Sequence, residues 1–183
     1  MISVFIGGSR RITKLASPIK KRIDNIISNG FTILIGDAGG ADTCVQEYLA
    51  DHQYRNVIVF CMEGVCRNNI GDWVTRSIGS QDSSKGFGFY SIKDMHMAVE
   101  ASYGFMIWDA KSNGTLNNMI NLLKREKKVL VYFGPEESFY TLANFKSLSD
   151  LLTKCDSKTI EKFDRKLAIK QLLKDEQSEL LFA

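Results

Sequence analysis

Three short stretches of this chain hold the residue types that bind phosphate: Gly7-Gly8-Ser9-Arg10, Gly36-Asp37-Ala38-Gly39-Gly40-Ala41-Asp42 and Asp109-Ala110-Lys111-Ser112-Asn113-Gly114-Thr115. Glycine lets phosphate oxygens approach the backbone and accepts positive φ, while hydroxyls, backbone N–H groups and a guanidinium or ammonium donate to the anion. A charge-assisted hydrogen bond contributes about 1.5–3 kcal/mol and a helix dipole about 0.3–1, so Arg10 and Thr115 should outweigh the dipole behind them. Arg67, Asn68 and Trp73 supply a cation, an amide and an aromatic, the means to hold a phosphate and stack on a base; the plain alternative is a polar loop with a buried Trp. Asp37 and Asp42 either brace their turn through side-chain-to-backbone bonds or reach ribose hydroxyls. Asp94 and Glu100 are the remaining carboxylates for catalytic acid–base work, with a helix-dipole partner and a solvent-facing Glu as their ordinary readings.

Something must bring these stretches together. Each follows a short apolar run rich in β-branched and aromatic residues, at 2–6, 31–35 and 104–108, as expected of strands buried on both faces. Each then leads toward a helical pattern, and strand, glycine turn and helix point free N–H groups and the positive end of a dipole at an anion. Further strands are expected at 57–61 and 129–133, with helices over roughly 18–29, 41–51, 92–103 and 115–125. The alternation implies an α/β, Rossmann-like, doubly wound parallel sheet, and right-handed crossovers order its strands 3-2-1-4-5. The first and fourth strands then meet where the winding reverses, the place where such sheets bind ligands. Residues 62–91 form a long connection with one short helix expected near 73–78; its glycine- and serine-rich part, 79–88, suits a lid over the crevice. The chain divides into a Rossmann-like domain, 1–135, and a helical C-terminal extension, 136–183. The extension reads as helical from about Phe139, with a capping box at Ser147–Asp150, and either packs on the core or makes a homo-oligomer contact.

At 183 residues, with 44% hydrophobic and 25% charged content, the chain is long enough for a substantial core and has the balance of an ordinary globular protein. No apolar run reaches the length of a membrane span, and the N-terminus enters a strand rather than a signal sequence, so a cytoplasmic protein with no membrane partner is expected. Cys44, Cys61, Cys66 and Cys155 show no zinc spacing, and His52 and His96 lie outside any ligand pattern; reduced thiols, no metal and no cofactor are expected. A net charge of +3 is too small to imply nucleic-acid binding by itself, and nucleic acid is not expected as a partner. The surplus lies in residues 1–135, with 16 Lys and Arg against 12 Asp and Glu, the part that bears the glycine turns.

Gly7-Gly8-Ser9-Arg10, Gly36 through Asp42, Arg67-Asn68-Asn69, Lys93-Asp94, Met97-Ala98, Gly104, Ile107-Trp108-Asp109, Lys111-Ser112 and Gly114-Thr115 together resemble the SLOG superfamily of Rossmann-like proteins, over about residues 1–134. That superfamily includes LOG-type phosphoribohydrolases, the DNA-processing protein of transformation and sensor domains of prokaryotic defence. The resemblance implies a nucleotide or nucleotide-derived ligand, with Gly7, Gly8, Ser9 and Arg10 as one set of phosphate donors and Gly114 and Thr115 as another. Asp109, Lys111 and Ser112 lie in the same loop as the second set. The phosphoribohydrolases carry a glutamate three residues after the threonine that acts in breaking the N-glycosidic bond; here that position is Asn118. An amide hydrogen-bonds a ribose but is neither nucleophile nor general base, a role worth a factor of roughly 10²–10⁴. The reading is therefore a cytoplasmic binding protein for a nucleotide or nucleotide-derived ligand, such as a signal sensor. The alternatives are an N-glycoside hydrolase using Asp94 or Glu100 and, by analogy of fold, a single-stranded DNA binder.

Overall fold

Alternating residues of the central strands face two different helical layers, and that alternation sets the architecture. The computed structural model describes residues 1–79 and 86–182. Strands β1 (Ser3–Gly8), β2 (Thr32–Gly36), β3 (Val57–Met62), β4 (Val74–Ile78), β5 (Tyr103–Trp108), β6 (Val129–Phe133) and β7 (Ser138–Leu142) form one sheet ordered β4-β3-β2-β1-β5-β6-β7. All pairs are parallel except β6 with β7. The helices are α1 (Ser17–Ser28), α2 (Ala41–Asp51), α3 (Phe87–Glu100), α4 (Asn113–Leu123), α5 (Phe145–Leu152), α6 (Ser157–Leu167) and α7 (Ile169–Phe182). Val4, Ile6, Ile33 and Ile35 pack with Ile19 and Ile23 of α1 and Val45 of α2 on one face. Phe5, Leu34, Met106 and Trp108 pack with Met97 of α3, Met119 of α4 and Phe163 of α6 on the other.

The expected order of five strands is present as β3-β2-β1-β5-β6, and each edge carries one strand more. β4 stands where a short helix is expected. Its Val-Thr-Arg-Ser-Ile run is β-branched, and its first four residues are exposed because an edge strand is covered on one side only. β7 begins the segment expected to be helical. Gly134–Glu136 make a single 3-10 turn, Glu137 takes a left-handed φ of 49°, and the chain returns antiparallel along β6. The first tail helix is accordingly α5, capped by a reciprocal Asn144–Ser147 box rather than one at Ser147–Asp150. Phe163 is fully buried, 5.8 Å from the Trp108 ring, so the tail packs on the core.

Two other expectations change. Cys61 and Cys66 form a disulfide rather than free thiols, because Glu63 and Gly64, with φ of 53° and 76°, fold the chain back until the two Cα atoms are 4.9 Å apart. Cys44 and Cys155 are free and half-buried. Most of the stretch read as a lid, residues 80–85, lies outside the described residues; Phe87 and Gly88 at its end belong to α3.

Candidate functional site

β1 and β5 are neighbours, and the loops leaving their C-terminal ends open into one cavity of about 530 Å³. Such a volume suits a small ligand. Its wall is made by Gly7 and Gly8 at the end of β1 and Ser9 to Arg11 after it, by Asp109, Lys111 and Ser112 of the third loop, by Asn113 to Thr115 and Asn118 of α4, and by Tyr90, Ser91, Lys93 and Asp94 of α3. Ala38, Asp42 and Arg67 contribute from the second loop, the start of α2 and the β3–β4 connection. The fold thus brings the three glycine turns to one place, and the roles within each turn divide sharply.

Loops one and three are sewn together by a carboxylate. Asp109 Oδ1 accepts from Ser9 Oγ at 2.7 Å and from the N–H groups of Lys111 and Ser112, both at 2.9 Å. Ser112 is the N-cap of α4: its Oγ accepts from the Thr115 N–H at 3.2 Å and from the Thr115 hydroxyl at 3.0 Å. Ser9 and Thr115, both buried, thus donate to the protein the groups expected to face a phosphate. The first-turn N–H groups of a helix have no acceptor within it. In α4 those of Asn113 and Gly114 donate to no described residue and line the cavity. Arg10, Arg11, Lys111 and Lys162 of α6 add positive charge to the same wall; Lys162 Nζ donates to the Lys111 carbonyl at 2.9 Å.

The glycines also differ in what they are for. A Cβ on Gly8 would lie 2.5 Å from the Ile107 carbonyl oxygen, and one on Gly40, at φ 83°, would overlap the Arg10 backbone. These two let strands and loops approach one another. A Cβ on Gly36 would meet Asp42 Oδ2 at 2.6 Å and Lys93 Nζ at 2.8 Å, so Gly36 makes room for a buried charge cluster. Gly39 has open space around its Cβ position, and at Gly114 the nearest atom is Ser112 Oγ at 3.9 Å. Gly114 is thus a glycine that no protein contact demands.

The charge cluster forms the inner wall. Arg67 donates to Asp37 through Nε at 3.1 Å, Nη2 at 2.6 Å and its own N–H at 3.1 Å, and its guanidinium lies 4.3 Å from the Tyr90 ring centre. Burial pushes the Asp37 carboxyl up, but the Arg67 bonds and the Lys93 charge outweigh it and hold the group below its ordinary value. Arg67, expected as a phosphate cation, is ion-paired with Asp37 while also lining the cavity. Lys93 is only 3% exposed; it bonds Asp94 at 2.8 Å and sits 3.7 Å from Asp37. Burial opposes its charge, yet Asp94, Asp42 and Asp37 together hold its pKa above the ordinary lysine value. Asp42 accepts from the Ala38 N–H at 3.2 Å, and burial pushes its carboxyl up to about 7 against the opposing Lys93 charge.

Three expected site residues are placed elsewhere. Trp73 is buried in the core behind α2, with Nε1 donating to the Tyr54 carbonyl at 2.7 Å, so it offers no stacking face. Asn68 Nδ2 donates to the Asp37 carbonyl at 2.9 Å and braces the second loop. Glu100 is ion-paired with Arg76, and its carbonyl accepts from Ser3 at the start of β1, the sheet end opposite the crevice. Among the two expected catalytic carboxylates, only Asp94 reaches the cavity. Sequence reasoning missed Tyr90, Lys93 and Asn113 as cavity residues. The legible signal was Phe89, Lys93 and Met97 at four-residue spacing, a cation within an apolar helix stripe.

Fold and site together define a Rossmann-like α/β protein with a ligand crevice at the reversal of winding. A solved structure similar to it is DNA processing protein A from Helicobacter pylori, described for its single-stranded DNA binding mode: the TM-score is 0.57 at 18% identity, over 96% of this chain and 81% of that one. The similarity is one of fold. No family model matches the chain, and no curated protein matches it. The comparison overturns the expectation that nucleic acid is no partner, since a protein of this fold is described for binding single-stranded DNA. Net charge averages over the whole surface, whereas Arg10, Arg11, Lys111 and Lys162 gather at one cavity. Among the described residues no helix is long and apolar enough to cross a membrane.

Proposed function

We propose that this chain is a SLOG-type binding protein for a nucleotide or nucleotide-derived ligand, held in the crevice through phosphate. Gly114 carries the reading. Gly114 stands in the first turn of α4 at the crevice wall, and no protein atom stands in the way of a Cβ there. A glycine in that position serves an approaching ligand, beside the free Asn113 and Gly114 N–H groups and the cations Arg10 and Lys111. Binding is favoured over cleavage because Asn118 replaces the acid of the phosphoribohydrolases, Glu100 is at the far end of the sheet, and Asp94, though it lines the cavity, is ion-paired with Lys93 at 2.8 Å.

Titration calorimetry and thermal shift with a nucleotide panel, including cyclic and ADP-ribose species, test the reading. Arg10→Ala is expected to weaken the ligand about tenfold or more. Gly114→Ala is expected to melt close to the wild-type temperature while losing affinity, a split that a purely structural role does not produce. A panel that gives no saturable binding sinks the proposal. A second reading, single-stranded DNA, is supported by the similar structure and by Phe87, an aromatic 46% exposed at the cavity wall. Oligonucleotide affinity falling steeply between 50 and 200 mM salt, on the order of tenfold or more, would favour it over a free nucleotide.

A further inference from the structure

Arg67 is positioned from two sides. On the crevice side, its N–H, Nε and Nη2 donate to Asp37. Along the chain, the residue before it, Cys66, is bonded to Cys61 at the end of β3, and residues 62–65 between the two cysteines form a tight turn in which the Val65 N–H donates to the Met62 carbonyl at 3.2 Å. Glu63 holds a left-handed φ of 53° in that turn without being glycine, a conformation that its Cβ opposes. Past the disulfide the chain is fastened by hydrogen bonds: the Asn68 amide donates to the Asp37 carbonyl, and the Ile70 N–H to Gln46 Oε1 at 3.0 Å. The disulfide is thus the covalent anchor of the segment that carries Arg67 into the cavity wall.

The two cysteines differ in access. Cys61 is 1% exposed, in the same buried cluster as Val59 and Trp73. Cys66 is half-buried at the foot of a turn whose Glu63, Gly64 and Val65 are exposed, Val65 at 72%. Exchange proceeds by attack of a thiolate on one sulfur of the bond, so a reductant meets Cys66 and Cys61 is the leaving group. The Val59 carbonyl lies 3.8 Å from Cys61 Sγ, so the released thiol finds an acceptor already in place. We propose that Cys61–Cys66 is a reversible thiol–disulfide exchange site for a dithiol reductant, and that its state sets the order of the Arg67 wall of the crevice. The reductant's thiolate attacks Cys66 Sγ, the bond between the cysteines breaks, and Cys61 leaves as a thiolate that takes up a proton. The reductant's second thiol, deprotonated, then displaces Cys66 as a thiolate, which is protonated in turn, and closes the reductant's own disulfide. The chain gains two electrons and two protons, and the dithiol loses them. With the bond open, Glu63 is released from its left-handed conformation, and Arg67 is held at the wall by non-covalent contacts with Asp37 and the Tyr90 ring.

The test uses the full chain, oxidised and after treatment with excess dithiothreitol under native conditions, and needs no ligand, so it stands or falls apart from the nucleotide reading. Acid quenching, alkylation in denaturant and mass spectrometry count the thiols, which are expected to rise from two, Cys44 and Cys155, to four. In the same samples, hydrogen exchange is expected to speed up about tenfold or more at the Arg67 and Ile70 amides, which donate to Asp37 and Gln46, while β5 and α4 exchange as before. Reoxidation with glutathione disulfide is expected to restore both readings, and Cys66→Ser to exchange fast at these amides with or without reductant. A thiol count that stays at two makes the bond a fixed brace and overturns the proposal. A count of four with exchange unchanged at residues 67–70 overturns it as well. Exchange that speeds up equally in β5 and α4 shows that the bond supports the whole fold and overturns control of this wall.

Discussion

At the scale of single residues, Asp42 and Asp37 share one charge cluster and titrate in opposite directions. Burial raises the Asp42 carboxyl from 3.8 to about 7. An acid whose folded pKa is raised favours the folded state when protonated, so this stability is fully present below pH 3.8 and is lost as pH rises through about 7. Asp37 is lowered, so its contribution is present above 3.8 and is lost only at more acid pH. The two windows do not overlap. We expect melting temperature to fall between pH 4.5 and 8, by roughly 3–10 °C for 1–3 kcal/mol shared with Lys93, and Asp42→Asn to flatten that slope. A variant whose pH profile parallels wild type would show that Asp42 is not the group responsible. None of this was legible in the sequence, which left Asp37 and Asp42 as either turn braces or ribose contacts. The distinction lies with Arg67 and Lys93, 30 and 51 residues beyond Asp37 and Asp42 respectively.

Elements were read best where the strand is central and worst at the edges. β1, β2, β3, β5 and β6 are apolar on both faces, a pattern that survives without knowledge of the neighbours. β4 and β7 are half-covered, and their short amphipathic runs fit either period until the sheet edge they join is known. α3 begins at Phe87, earlier than expected, because Gly88 falls in its first turn, where a glycine disrupts little. Turns are the elements whose glycines can be told apart by substitution. Gly40 holds a positive φ against the Arg10 backbone, so Gly40→Ala is expected to cost about 1–3 kcal/mol and to disorder the contact between the first two loops. Gly39→Ala, facing open space, is expected to stay within about 0.5 kcal/mol of wild type. Urea denaturation of the pair is decisive, because equal losses would place the strain outside Gly40.

Across the whole molecule, the tail and the Rossmann-like sheet share one apolar core. Phe163 of α6 lies 5.8 Å from the Trp108 ring, in the same buried cluster as Leu148 of α5 and Ile169 of α7. Phe163→Ala is expected to cost about 3–5 kcal/mol, measured by denaturant midpoint, the loss typical of a large aromatic removed from a packed interior. A loss below about 1 kcal/mol would mean that the tail is merely laid on a domain stable without it. The same docking carries Lys162 to the crevice wall, so a loosened tail should also weaken the anion binding proposed there.

The sequence by itself determined the strand–turn–helix units, the meeting of β1 and β5, and hence the location of the crevice, because these follow from local periodicity and from the handedness of crossovers. It did not decide which polar groups remain free for a ligand. Ser9 and Asp109 are 100 residues apart in the chain, yet they satisfy one another at 2.7 Å, and Arg67 is claimed by Asp37 from a different loop. A hydrogen bond formed inside the protein removes a donor from the site without changing a letter of the motif. Only the packed structure shows that the hydroxyls of Ser9 and Thr115 and the Nε and Nη2 of Arg67 are bonded within the protein, while Arg10, Asn113, Gly114 and Asn118 line the cavity.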